Sequence, residues 1–324
     1  MNKIPIDPKI SGRGRPLLVQ KKFRFIAALL VIVSLAVIKL IAPSFFGIGN
    51  LTNLLRQVSI NGIIACGMTV LIISGGFDLS VGAMLAFSGV LAIHFAQESL
   101  ILAILVPLSV GVLGGSVNGI LVSWFSINPL IVTIGFRYLL YAAANLFTAG
   151  FIQYNQNPEF LLLGRSHLFG VPTPGIIFLG LALLSHLVLH YTRLGLSFFA
   201  VGSNERAAFF SGLATRRIQV WGYIASGLCA ALAGAVLASR LGVAAPDAGE
   251  GYELEAIAAV VVGGTSLFGG SGGIGKSILG VGLLGILSNL LVLAGQSYEA
   301  QRIATGTIIV LALAVDVHIR KKTL

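Results

Sequence analysis

Charge is what this sequence has least of. Only 10% of its 324 residues are Asp, Glu, Lys or Arg, where a typical soluble domain carries roughly 25%. So few charges cannot wet a protein surface, which excludes a soluble globule: most of the outer face must meet lipid. Cysteine is almost missing as well. Cys66 and Cys229 both lie inside apolar runs, so neither a disulfide framework nor a cysteine metal site is available, and both read as core thiols. Prolines number 10 against 41 glycines, a balance that suits closely packed membrane helices rather than a low-complexity chain.

The charge that is present sits at the ends. Of the formal net charge of +10, most comes from Lys3, Lys9, Arg13, Arg15, Lys21, Lys22 and Arg24, which face only Asp7, and from Arg320, Lys321 and Lys322. The middle of the chain is nearly neutral and lacks the basic stripe that a nucleic-acid partner requires, so no nucleic acid is expected. Both termini satisfy the positive-inside rule and are expected in the cytoplasm, which demands an even number of crossings. Residues 1–24, with Pro5, Pro8 and Pro16, read as a solvated basic tail, and 320–324 as a second short cytoplasmic tail. The first apolar segment is too long for a secretory leader and has no small-residue cleavage site, so it reads as a retained helix.

Apolar stretches of about 17 to 25 residues, the length a bilayer core requires, occur ten times: 26–43, 54–74, 80–97, 100–123, 129–149, 174–191, 218–239, 254–269, 276–294 and 302–318. The expected fold class is an all-α membrane protein, a polytopic bundle of about 10 transmembrane helices over 25–319. Starting inside, 192–217 falls in the cytoplasm with Arg193, Arg206, Arg216 and Arg217 against Glu205. The next loop, 241–253, falls outside with Asp247, Glu250 and Glu253 and no base. Segments 80–97 and 254–269 are short and flanked by glycine, as broken or re-entrant pieces would be.

Within the spans, small and polar residues carry the information. Gly111, Gly115 and Gly119 form an i, i+4, i+8 stripe, and Ala230, Gly234 and Ala238 repeat it, which favours close helix packing over a ligand path. Asn61, Asn118, Asn145 and Asn289 lie in apolar segments, where an unpaired amide is costly. Each either bonds a neighbouring helix or lines a wet translocation path. Arg137 lies roughly 12 Å into its segment at 1.5 Å per residue; a structural interhelical bond is favoured over a path role. An ion-coupled carrier usually keeps a carboxylate at mid-depth. Asp78, Glu253, Glu255 and Asp316 all fall near segment ends, which argues against that class.

Two motif matches fail on context. Residues 270–277 satisfy G-x-x-x-x-G-K-S, but a phosphate loop works only between a strand and a helix of a soluble parallel sheet, and both flanks here are apolar segments of membrane length. No nucleotide cofactor and no catalytic residue are expected. His186 and His190 stand one turn apart without a third ligand nearby, so no metal is expected. The loop 192–217 is more informative. Asn204 is a good N-cap, Glu205 favours the helix dipole in the first turn and Gly212 suits a stop at C′. These define a helix of about two turns with Phe209 and Phe210 on an apolar side and a small Ala207-Ala208 face that can dock into a groove.

Three stretches, Gly67 to Gly82 (GMTVLIISGGFDLSVG), Ala200 to Gly212 (AVGSNERAAFFSG) and Gly251 to Gly270 (GYELEAIAAVVVGGTSLFGG), carry a resemblance that extends over nearly all of the chain after residue 45. The chain resembles permease subunits of bacterial ATP-binding-cassette importers of the ribose, xylose and galactose type, in the superfamily that also holds branched-chain amino acid permeases. Ser271, Tyr141 and Leu196 depart from residues common in that family, each often a base there. The resemblance implies a multi-pass protein of the bacterial inner membrane that pairs as a homodimer. It implies a sugar delivered by an extracytoplasmic binding protein and power from a separate cytoplasmic ATPase, with no chemistry on this chain. By position, Gly202, Asn204, Glu205, Arg206, Ala207, Ala208, Ser211 and Gly212 would form the coupling helix on which the ATPase docks. The alternatives are an amino acid or other polar-solute permease of the same kind, and an ion-coupled secondary carrier.

Overall fold

Side-chain caps start many of the helices. The structure, a computed structural model, describes residues 43–321. The basic tail 1–24, the segment 26–43 except its last residue, and residues 322–324 lie outside the described residues. After a short 3-10 turn (Pro43–Phe46), the chain forms α1 (Ile48–Ile73), α2 (Val81–Phe95), α3 (Leu100–Ser123), α4 (Pro129–Thr148), α5 (Pro158–Arg165), α6 (Thr173–Tyr191), α7 (Arg193–Ser203), α8 (Glu205–Phe210), α9 (Thr215–Leu241), α10 (Tyr252–Val262), α11 (Ile274–Leu293) and α12 (Tyr298–Lys321). Ser99, Asn128, Asn157, Thr192 and Asn204 each accept a backbone N–H in the first turn of the helix that follows, satisfying donors that have no intrahelical partner. Pro129 and Pro158 stand directly after such caps, where a missing N–H costs nothing.

Among the described residues, six helices are long and apolar enough to cross a membrane: α1, α3, α4, α6, α9 and α11. Two are pillars. The most apolar window of α1 is 78% buried and that of α9 67%, against 22% to 28% for the other four, whose apolar sides are left for lipid. Helix α9 packs chiefly on α3, α2 and α1, while α6, α10 and α11 close the other side of α1. The glycine stripe of α3 explains the first of these contacts. A Cβ on Gly111 would lie 2.6 Å from the Gly227 carbonyl oxygen of α9, and one on Gly119 2.9 Å from Val220 Cα. The second stripe has a different neighbour: Gly234 and Ala238 face Leu85 and Gly89 of α2. Both stripes are helix contacts, as the sequence favoured.

The two segments expected to be short are shorter still. Helix α2 has 15 residues and α10 has 11, or about 22 and 16 Å at 1.5 Å per residue, against the roughly 30 Å of a hydrocarbon core. The approach to each is irregular backbone through 74–80 and 245–251, and Gly249 meets Gly82, so the two helices begin side by side. At one end of the bundle β1 (Gln153–Tyr154) pairs antiparallel with β4 (Val243–Ala244), and β2 (His167–Leu168) with β3 (Val171–Pro172). Helices α7 and α8 occupy the opposite end. Residues 193–203, read from sequence as loop, are helical as α7 because Phe198 and Val201 bury against the ends of the bundle.

Candidate functional site

Helix α10 brings two carboxylates into the middle of the bundle. Glu253 is buried and its Oε1 lies 2.8 Å from Arg137 Nη1. Arg137 is near the midpoint of the 20-residue α4, and its guanidinium stands 5.4 Å from the centroid of the Tyr141 ring. Two residues further along α10, Glu255 Oε2 accepts a hydrogen bond of 2.7 Å from Asn61 Nδ2, and Asn61 is near the midpoint of the 26-residue α1. Here the sequence reading is corrected. Both acids stand at the start of their own helix, as expected, yet they lie level with the centres of the neighbouring helices, because α10 begins partway along the bundle. Nearness to a segment end does not place an acid at a membrane boundary when the segment is only half a crossing long.

Asn61 and Glu255 open onto a cavity of about 140 Å³ between α1, α10, α11 and α12. Its lining is mostly apolar, with Leu254, Ala259, Val281 and Leu284, and carries Gln57, Ser288, Gln301, Arg302 and Thr305 as polar groups. Asn61 Oδ1 is buried without a hydrogen-bond partner.

The other asparagines lie elsewhere. Asn118 Nδ2 donates to Ser80 Oγ at 3.0 Å in a buried cluster where Asp78 accepts from the Ser80 N–H at 2.9 Å and the Ser226 hydroxyl at 3.2 Å. Tyr223 closes this cluster by donating to the Phe77 carbonyl at 3.1 Å. These bonds tie the irregular 74–80 segment to α3 and α9. Asn145 bonds the Tyr141 carbonyl of its own helix at 2.8 Å. Asn289 and Asn50 exchange two bonds of 2.9 Å between α11 and α1. Of the five residues suggested for a path, Asn61 alone lines the cavity; Asn118 and Asn289 link helices, Asn145 bonds within α4, and Arg137 pairs with Glu253. Glu253, Glu255, Gln57 and Arg302 were not singled out from sequence as site residues. The usable signal was a glycine-flanked apolar segment too short to span, with two acids in its first turn.

At the opposite end, α8 has the caps its sequence called for. Asn204 Oδ1 accepts the Ala207 N–H at 3.0 Å. Gly212, at φ +84°, donates to the Phe209 carbonyl while Leu213 donates to that of Ala208, the pair of bonds that closes a helix through a left-handed residue. Glu205, Arg206, Ala207, Phe209, Phe210 and Ser211 are exposed, but Ala208 is buried inside the protein. The docking face expected to include both alanines therefore keeps Ala207 alone of the two. Gly202 has a separate task. It fits against Ile73 at the end of α1 and against the turn 269–270, where the Gly270 N–H donates to the Ile73 carbonyl at 2.9 Å; a side chain on Gly202 would collide with both. The P-loop-like stretch thus begins in a tight turn that wedges α7 against α1, and its last four residues open α11. Lys276 reaches back to the Gly264 carbonyl at 3.5 Å.

Comparison with known proteins shows the family. Residues 50–313 match the family described as the permease component of branched-chain amino acid transport systems. The chain is 40% identical to the ribose import permease protein RbsC of Bacillus subtilis (strain 168) over 291 residues, 89% of each chain. It is 34% identical to the D-allose transport system permease protein AlsC of Escherichia coli (strain K12) over 302 residues, 92% of this chain and 91% of that one. It is 33% identical to the L-arabinose transport system permease protein AraH of the same strain over 287 residues, 86% of each. No solved structure gives a match. With six apolar helices of spanning length and a family match over most of its residues, this chain belongs to the permease-component family of branched-chain amino acid transport systems and is a multi-pass membrane protein.

Proposed function

We propose that this chain is the membrane conduit of an ATP-binding-cassette importer that carries a monosaccharide or a closely related small polar solute across the bacterial inner membrane. Relatives named for ribose, allose and arabinose transport support the substrate class. In this reading two copies pair around a path, a binding protein delivers the solute from outside, and a separate ATPase docks below. Both termini are cytoplasmic and the ten apolar segments all enter the membrane, α2 and α10 as partial crossings. ATP binding favours one arrangement of the ATPase lobes, and α8 passes that preference to the bundle.

One observation carries the coupling assignment: α8 is a short helix capped at both ends whose root is wedged, through Gly202, between the end of α1 and the turn 269–270. A push on its exposed residues therefore reaches a central pillar instead of being lost in a slack loop. Glu205→Lys combined with Ala207→Asp changes only exposed residues. We expect it to abolish co-purification of the ATPase and uptake of solute while the amount of permease in the membrane stays normal. Normal co-purification from this variant would overturn the docking assignment.

A further inference from the structure

We propose that the cavity at Asn61 and Glu255 is a low-affinity station for a single neutral monosaccharide, one in each copy of the chain; this rests on the import reading above. Size is the first argument. A closed cavity of about 150 Å³ accepts benzene; this one of about 140 Å³ is open on one side, so it holds one sugar ring with its outer hydroxyls at the mouth and has no room for a second ring. Chemistry is the second. Glu255 is held in place by the Asn61 amide, and its carboxylate oxygens suit two neighbouring hydroxyl donors. Arg302 on α12 and Gln57 on α1 supply donors from the facing wall.

Charge and shape then narrow the ligand. One carboxylate and one guanidinium line the cavity, which favours a neutral guest over an ion. Among the described residues no aromatic side chain lines it, so none of them offers a sugar a ring to stack on, and binding is weak. A conduit needs that weakness, because a solute held tightly is not released.

The test uses the full-length chain in lipid nanodiscs with Thr305→Cys, at the cavity wall, as reporter; Cys66 and Cys229 are buried and give little background. Maleimide labelling is followed with D-ribose, L-arabinose, D-allose or D-galactose, with sucrose and NaCl as controls, each at roughly 20 mM, suited to millimolar affinity. At least one monosaccharide should slow labelling by about fivefold, while sucrose and NaCl do not. Glu255→Gln keeps the shape of the side chain and should raise the half-protecting concentration about tenfold, as expected for losing a hydrogen bond to a charge. Three results overturn the inference: no monosaccharide protects, NaCl protects equally, or protection is unchanged in Glu255→Gln. Uptake by cells carrying the complete transporter is measured in parallel. Uptake of a sugar that gives no protection overturns the station and leaves the import reading standing; absence of both for every sugar overturns the two together.

Discussion

The Arg137–Glu253 pair has the most to lose from a single change. A buried ion pair gains little over a well-packed apolar replacement, but removing one partner strands the other, at a cost of about 3 to 5 kcal/mol. Arg137→Leu should therefore lower thermal stability and membrane abundance sharply, because it leaves a carboxylate that is 2% exposed unpaired. Arg137→Leu with Glu253→Leu should recover most of both. A double variant no more stable than the single would show that the pair is not what holds α4 to α10. The need of Arg137 for a partner was legible from its position inside an apolar segment; the partner was not, because 116 residues of chain separate the two and spacing along a sequence does not encode such a contact. The asparagines teach the same lesson. Their burial was readable, but Asn118 joins a cluster built by Ser80, Asp78 and Ser226 from two other parts of the chain, and no local pattern announces it.

At the scale of single elements, local rules decided the ends and packing decided the rest. Asn204 and Gly212 fix both ends of α8 through bonds within a few residues, so this helix could be drawn from sequence alone. Asn204→Ala should cost about 1 kcal/mol of cap and weaken ATPase co-purification without abolishing it; undiminished co-purification would mean that the partner re-forms the helix on binding. Helix α7 was missed although its buried residues Gly195, Phe198 and Val201 recur every three positions along one face, a helical spacing that the glycine and serine content of the stretch obscured. The glycines of α3 make a sharper prediction. Gly115→Leu places a side chain where the backbone of Tyr223 and Ile224 already lies, and overpacking of this kind costs about 1 to 3 kcal/mol or more. Loss of folded protein is expected, whereas Gly135→Leu on α4, with nothing within 4 Å of its Cβ position, should be tolerated. Equal folded yields from the two would count against the close approach of α3 and α9.

For the whole molecule, the import reading makes the chain a gated passage without its own energy source. Proteoliposomes containing only this chain should never accumulate sugar against a gradient, and adding the ATPase and binding protein with ATP should restore accumulation; uphill transport by the lone chain would favour a secondary carrier. Ser11→Cys and Thr323→Cys should both react with an impermeant maleimide in inside-out vesicles and in neither case in right-side-out ones. The sequence by itself determined that the chain lives in lipid, which segments are apolar, where α8 starts and stops and which family it resembles, because composition, capping and short motifs act over a few residues. Only the tertiary structure decided that α10 starts within the bundle, that Glu253 and Glu255 reach the middle of α4 and α1, and that a cavity with a few polar groups in a mostly apolar lining forms beside Asn61. Those outcomes depend on how far each helix is inserted relative to its neighbours, a quantity set by packing between residues distant in the chain.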